Sequence, residues 1–131
     1  MGTVDVGSRL PQTSPADNEK ELAPRAILIV DDEPSIGFLL TEMLQSTGHP
    51  ILTAGSVSEA LTHLKSRPIA VLIVDVQLAG TDGIAFLQQA LEVDSRLLSI
   101  VMTGHGNIEL AVRAMKSGAA DFLTKPFEVA F

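Results

Sequence analysis

Four short runs of branched apolar residues, each ending on a reactive polar group, constrain the fold of this chain more than any other feature. Ile27-Leu28-Ile29-Val30 leads into Asp31 and Asp32, and Val71-Leu72-Ile73-Val74 leads into Asp75. Ile100-Val101-Met102 leads into Thr103, and Phe122-Leu123-Thr124 into Lys125 and Pro126. Such runs read as buried parallel strands. In an open α/β sheet the crevice lies outside the carboxyl ends of the strands, so three carboxylates, a hydroxyl and an ammonium are expected on one rim. That inventory suits one cation and one phosphoryl group.

Helical patterns fill the spaces between the runs. Pro34 sits where a first helical turn tolerates it, with Asp32 as the expected N-cap. Ile36, Leu39, Leu40, Met43 and Leu44 follow as an apolar stripe, which Gly48 and Pro50 end. Residues 51–54 read as a second strand, and Val57, Ala60, Leu61 and Leu64 as a second helix ended by Arg67-Pro68. Ile84, Leu87 and Leu91 mark a third helix after the loop 77–82. A fourth starts near Asn107 with Ile108, Ala111, Val112 and Met115 expected inward, and Gly118 closes it. Five strands with four interleaved helices predict a doubly wound parallel sheet with right-handed crossovers.

Residues 1–24 lack periodicity and are rich in Pro, Ser, Thr, Asp and Glu, so they read as a disordered tail before one domain at 25–131. The chain has 131 residues, enough for one core, and 46% of them are apolar. A net charge of −7 disfavours direct nucleic-acid binding by this segment, because phosphate contacts need clustered Lys and Arg. The absence of cysteine rules out a disulfide framework and thiolate metal sites and fits a reducing compartment. No run reaches the length of a membrane span, and the amino terminus lacks a signal-peptide pattern. Together these features describe a cytoplasmic domain without a membrane partner.

Taken singly, each polar signal also has an ordinary explanation. Adjacent Asp31 and Asp32 repel when ionised and call for a cation, and oxygen-only donors point to a hard ion such as Mg²⁺. The same pair reads equally well as a helix cap. Asp75 at the end of a very apolar strand is costly unless paired, and a carboxylate facing a metal can attack phosphorus, yet strand-end Asp residues also start ordinary turns. Thr103, before Gly104-His105-Gly106, has an uncrowded hydroxyl, although most such threonines are satisfied by backbone. Lys125 precedes Pro126, a candidate cis bond that would aim the ammonium at the crevice, but most lysines are merely solvated. Four signals in order at strands one, three, four and five of one sheet are hard to reach by chance.

In that order, Asp31-Asp32, Asp75, Thr103 and Lys125-Pro126 resemble the motif set of the receiver domains of bacterial two-component response regulators. The resemblance covers about residues 26–127, and the stretch from Met102 to Phe127 is most similar to receivers of nitrogen-regulation and nitrogen-fixation regulators. It implies a flavodoxin-like strand order 2-1-3-4-5. It implies phosphorelay signalling in which Asp75 takes a phosphoryl group from a histidine kinase or phosphotransfer protein. Asp32, Asp75 and the backbone carbonyl of Gln77 would ligate Mg²⁺ directly, and Asp31 through water. Thr103 and Lys125 would bind phosphoryl oxygens. Phe122 matches the switch aromatic, which would turn inward as Thr103 is drawn in, and a homodimer is allowed. No enzyme activity beyond self-catalysed phosphorylation and dephosphorylation is implied.

Two departures stand out. The family loop after the phosphoacceptor usually carries Pro, whereas Leu78 is followed here by Ala79 and then Gly80-Thr81-Asp82-Gly83. The chain also ends six residues beyond Lys125, where the family continues into a fifth helix, so the domain is expected to be truncated at its C-terminus, with only the first helix covering one face and an apolar area near strands one, three and five exposed. Phe127, Val129 and Phe131 would be the opening turn of that helix. Two other functions compete with signalling. A phospho-aspartate hydrolase would need a second acid two residues after the nucleophile, where Gln77 stands. A receiver-shaped interaction module, or an inactive fragment of a longer DNA-binding regulator, would keep the fold without responding to phosphate.

Overall fold

The computed structural model describes residues 24–78, 80–104 and 107–125. The strands and helices alternate as β1 (Ala26–Val30), α1 (Pro34–Leu44), β2 (Ile51–Ala54), α2 (Val57–Ser66), β3 (Ile69–Asp75), α3 (Gly83–Val93), β4 (Leu98–Thr103), α4 (Ile108–Lys116) and β5 (Asp121–Thr124). A single 3₁₀ turn, Gln45–Thr47, follows α1 and ends at Gly48, whose φ of 80° gives the left-handed exit expected there. All strand pairs are parallel, in the order β2-β1-β3-β4-β5. Expected and observed topology agree.

Alternation along the central strands builds two cores. Leu28 and Val30 of β1, Leu72 and Val74 of β3 and Val101 of β4 pack with Ala60 and Leu64 of α2, with Phe86, Leu87 and Ala90 of α3 and with Ala114 of α4. The opposite face carries Ile27, Ile29, Ile73 and Met102 against Leu40 of α1. Among the described residues α1 alone covers that second face, and Leu98 and Leu123 are exposed. The expected opening turn at Phe127, Val129 and Phe131, the expected cis bond at Pro126 and the tail through residue 23 lie outside the described residues.

Four local expectations are corrected. The N-cap of α1 is Glu33, not Asp32, and no side chain caps it; Asp31 instead accepts the Glu33 N–H at 2.9 Å. In α1 the stripe is narrower than its periodicity suggested, with Leu40 buried, Ile36, Leu39 and Leu44 half-buried and Met43 exposed. Helix α4 is turned relative to its expected orientation. Ala111 is buried as expected and Ala114 is buried beside it, whereas Ile108, Val112 and Met115 point outward. Alanines let a helix approach the sheet closely, so the small face wins the contact and the large side chains are left at the edge. Strand β5 is likewise an edge strand exposed along its length rather than a buried one.

The turn from β3 into α3 is built tightly. The Asp82 carboxylate caps α3 by accepting the N–H groups of Ile84 at 2.9 Å and Ala85 at 3.3 Å. Gly83 follows and lies directly against the backbone beyond the strand end, its N–H on Val76 O at 3.3 Å. A Cβ at Gly83 would overlap the Val76 Cα and stand 2.8 Å from Asp75 O. Because backbone cannot yield as a side-chain tip can, Gly83→Ala is expected to cost about 2–3 kcal/mol in urea unfolding. Gly55→Ala, where a Cβ meets nothing within 4 Å, is expected to stay within about 0.5 kcal/mol of the parent. Equal midpoints for the two variants would refute this packing argument.

Candidate metal and phosphoryl site

Register places the functional side chains. Val30 pairs with Val74, which sets Asp31, just past β1, beside Asp75, the last residue of β3. Asp75 pairs with Met102 and Thr103 with Thr124, and the Lys125 N–H donates to Thr103 O at 2.9 Å. The carboxylates of Asp31, Asp32 and Asp75 each bring an oxygen within 4.8 Å of the others. Asp31 and Asp75 are buried, while Asp32 is exposed at the rim.

Lys125 holds this cluster together. Its Nζ donates to Asp75 Oδ2 at 2.9 Å, stands 2.7 Å from Asp31 Oδ2 and lies 3.4 Å from Glu33 Oε1. The approach to Asp31 Oδ2 is close enough for direct ion pairing but off the hydrogen-bonding angle, so this buried oxygen has a countercharge without an aligned donor. The other Asp75 oxygen, Oδ1, accepts the Gln77 N–H at 2.8 Å. Both oxygens of Asp75 are thereby fixed in direction before any ligand arrives.

Burial and pairing compete at these groups. Burial pushes the Asp31 carboxyl above its usual range, and its contact with Lys125 and the Glu33 N–H offset this only in part. Burial alone would lower Lys125, but its contacts with Asp31 and Asp75 outweigh that and raise it well above the ordinary lysine value. The two partners do not mirror each other because Lys125 gains from two carboxylates, whereas Asp31 shares one ammonium and is almost wholly desolvated. Lys125 is therefore a fixed cation at neutral pH.

The expected site residues converge to different degrees. Asp31, Asp32, Asp75 and Lys125 meet at one point. Gln77 reaches the same rim through its N–H, and its side chain accepts the Gly104 N–H at 3.0 Å across the neighbouring loop. Thr103 is buried at the end of β4 and walls a small cavity of about 30 Å³, with Asn107, Ala111 and Phe122 on its other sides. Phe122 itself is largely exposed, against the expectation of a run buried to its end. Two participants escaped the sequence reading. Glu33 extends the acidic run Asp31-Asp32, a signal that was available; the Gln77–Gly104 tie spans 27 residues and leaves no sequence signal.

Oxygen-only donors, two of the three carboxylates buried, and one Asp31 oxygen without an aligned donor together fit a small hard cation. A fixed ammonium beside a preoriented carboxylate fits an anion that must approach Asp75. The rim can neutralise and orient a phosphoryl group, and the described residues hold no His or Cys in the cluster that would suit a softer metal.

Residues 27–130 match the model of the response regulator receiver domain family. The nitrogen assimilation regulatory protein NtrX of Azorhizobium caulinodans is 39% identical over 103 residues, covering 77% of this chain and 23% of that protein. The crystal structure of the receiver domain of NtrX from Brucella abortus superposes with a TM-score of 0.74 at 38% identity, covering 78% of this chain and 87% of that one. A response regulator from Burkholderia pseudomallei, solved with a phosphorylated aspartic acid, a calcium ion and citrate, gives a TM-score of 0.73 at 27% identity over 80% of this chain and 62% of that one. The chain spans 23% to 48% of the length of the first curated relatives it matches. With its strand order, its acidic rim and these likenesses in agreement, the chain belongs to the response regulator receiver domain family, whose members act in phosphorelay signalling.

Proposed function

We propose that Asp75 is the phosphoacceptor of a Mg²⁺-dependent receiver that is phosphorylated by a histidine kinase or phosphotransfer protein in the cytoplasm. One observation carries the reading: a single ammonium, Lys125, is shared by Asp75 and Asp31 beside a third carboxylate, Asp32. The phosphorylated aspartic acid and calcium ion of the Burkholderia neighbour support it.

Asp31, Asp32 and Asp75 would hold the cation, joined by the Gln77 carbonyl. When bound, Mg²⁺ supplies positive charge to the phosphoryl oxygens and to the acids that crowd the rim. The residues of the chain do the rest. An Asp75 carboxylate oxygen attacks phosphorus, the P–N bond of the donor phosphohistidine breaks, and its electron pair returns to the imidazole nitrogen. The Gln77 N–H keeps the other Asp75 oxygen in place during attack. Lys125 exchanges its Asp75 contact for a phosphoryl oxygen, and Thr103 binds a second one. Hydrolysis of the acyl phosphate by water resets the site. Gln77, with its carboxamide oxygen held by Gly104, offers no acid two residues after Asp75, which argues against a dedicated phosphatase.

Readout would run through the cavity beside Thr103. Movement of that residue toward a phosphoryl group enlarges the space that the Phe122 ring can enter, changing a surface shared with Ile108 of α4. An output partner or a second copy of the chain would meet this altered surface. The net charge of −7 argues against nucleic acid as its direct contact.

Incubation with Mg²⁺ and acetyl phosphate is expected to add one phosphoryl mass in intact-protein mass spectrometry, and Asp75→Ala to abolish it. A parent that stays unmodified, or an adduct that survives in Asp75→Ala, would remove the assignment. A second expectation concerns pH. Lys125 has a folded pKa above its ordinary 10.5, so its stabilisation is complete below that value and is lost only as pH climbs through the raised one. Replacing it with Met leaves buried Asp31 and Asp75 unpaired, so Lys125→Met should lower the urea midpoint. That deficit should stay constant between about pH 7 and about pH 9. A deficit that vanished within this window would show that Lys125 is not held charged.

A further inference from the structure

Among the described residues Glu33 is the one carboxylate around Lys125 that does not belong to the cation triad. Nζ faces three acids, Asp31 at 2.7 Å, Asp75 at 2.9 Å and Glu33 at 3.4 Å, while the triad consists of Asp31, Asp32 and Asp75. Two of the three partners of the ammonium thus belong to carboxylates that a cation would also draw on. A cation held by the triad takes up part of the charge of Asp31 and Asp75 and repels the ammonium, which loosens their hold on it. Lys125 has little solvent contact to compensate, because only 15% of its side chain is exposed. Glu33 lies on the solvent side, with 61% of its side chain exposed, at the start of α1.

We propose that Glu33 is a positioning residue that retains the Lys125 ammonium at the rim when the carboxylate triad takes up its cation. The inference rests on the metal-dependent reading above. Its physical content is a shift of weight among partners: as a cation draws on Asp31 and Asp75, Glu33 keeps its hold on Lys125, so the ammonium remains beside the crevice rather than swinging into solvent. Removing Glu33 leaves the ammonium to Asp31 and Asp75, where it competes with the cation, and so weakens cation binding through Lys125. Because the pair is partly exposed, the effect is modest.

A double-mutant cycle on the full chain separates this from simple loss of a nearby negative charge. Mg²⁺ binding is measured by titration calorimetry for the parent, Glu33→Gln, Lys125→Met and the double variant. Glu33→Gln is expected to raise the Mg²⁺ Kd about three- to five-fold when Lys125 is present, and less than about 1.5-fold in the Lys125→Met background. In the Mg²⁺-saturated parent the ¹⁵N signal of the Lys125 ammonium should stay protected from exchange, and in Glu33→Gln it should broaden. Equal weakening in both backgrounds, or none in either, overturns the role of Glu33. Failure of the folded parent to bind Mg²⁺ at all would instead overturn the metal-dependent reading.

Discussion

A single ammonium inside an acidic rim is the interaction on which the site depends. Asp31 and Asp75 are carried to adjacent positions by pairing of two apolar strands, and nothing in that pairing relieves their repulsion. Lys125 supplies the relief from the far side of the sheet, where β5 pairs with β4. Burial of like charges is tolerable only with such a partner, because desolvation disfavours an unpaired buried charge. The strand that delivers Lys125 is the most exposed of the five, so the least buried element provides the charge that the most buried ones require.

Strand order then explains why the rim lies where it does. β1 and β3 are neighbours in the centre of the sheet although a whole β-α unit separates them in sequence. The chain winds outward to β2 on one side and to β4 and β5 on the other, so the loops after β1 and β3 diverge to opposite faces and leave a crevice between them. The tight Asp82-Gly83 entry into α3 keeps the second of these loops short and close to Asp75.

Much of this was legible in the sequence, and the failures share a physical cause. Strand positions and the convergence of Asp31, Asp32, Asp75 and Lys125 follow from apolar runs whose ends are chemically marked, and the strand order from the family resemblance those ends carry. Periodicity identified α4 and placed Ala111 inward, but it put Ile108, Val112 and Met115 there in place of Ala114, because hydrophobicity alone favours the large side chains. Close approach to the sheet decided the matter. The apolar run of β5 looked like a core strand because composition does not reveal that a strand lies at an edge. Asp32 was expected to cap α1 because it has the right chemistry one residue too early; the backbone assigns that position to Glu33. Glu33 continues the acidic run, but its pairing with Lys125, 92 residues away, leaves no local signal.

The hydrogen bond from the Gly104 N–H to the Gln77 side chain has a mechanical consequence. Gln77 stands two residues after Asp75 and Gly104 one residue after Thr103, so the bond fastens the two loops that flank the crevice. A Cβ at Gly104 would come within 2.8 Å of the same oxygen, so the contact leaves no slack. Displacement of the Thr103 loop must either drag the Asp75 loop along or break the bond, at about 1 kcal/mol. The tie therefore couples the two loops up to a low threshold: a small displacement of one is passed to the other, and a larger one must break the bond.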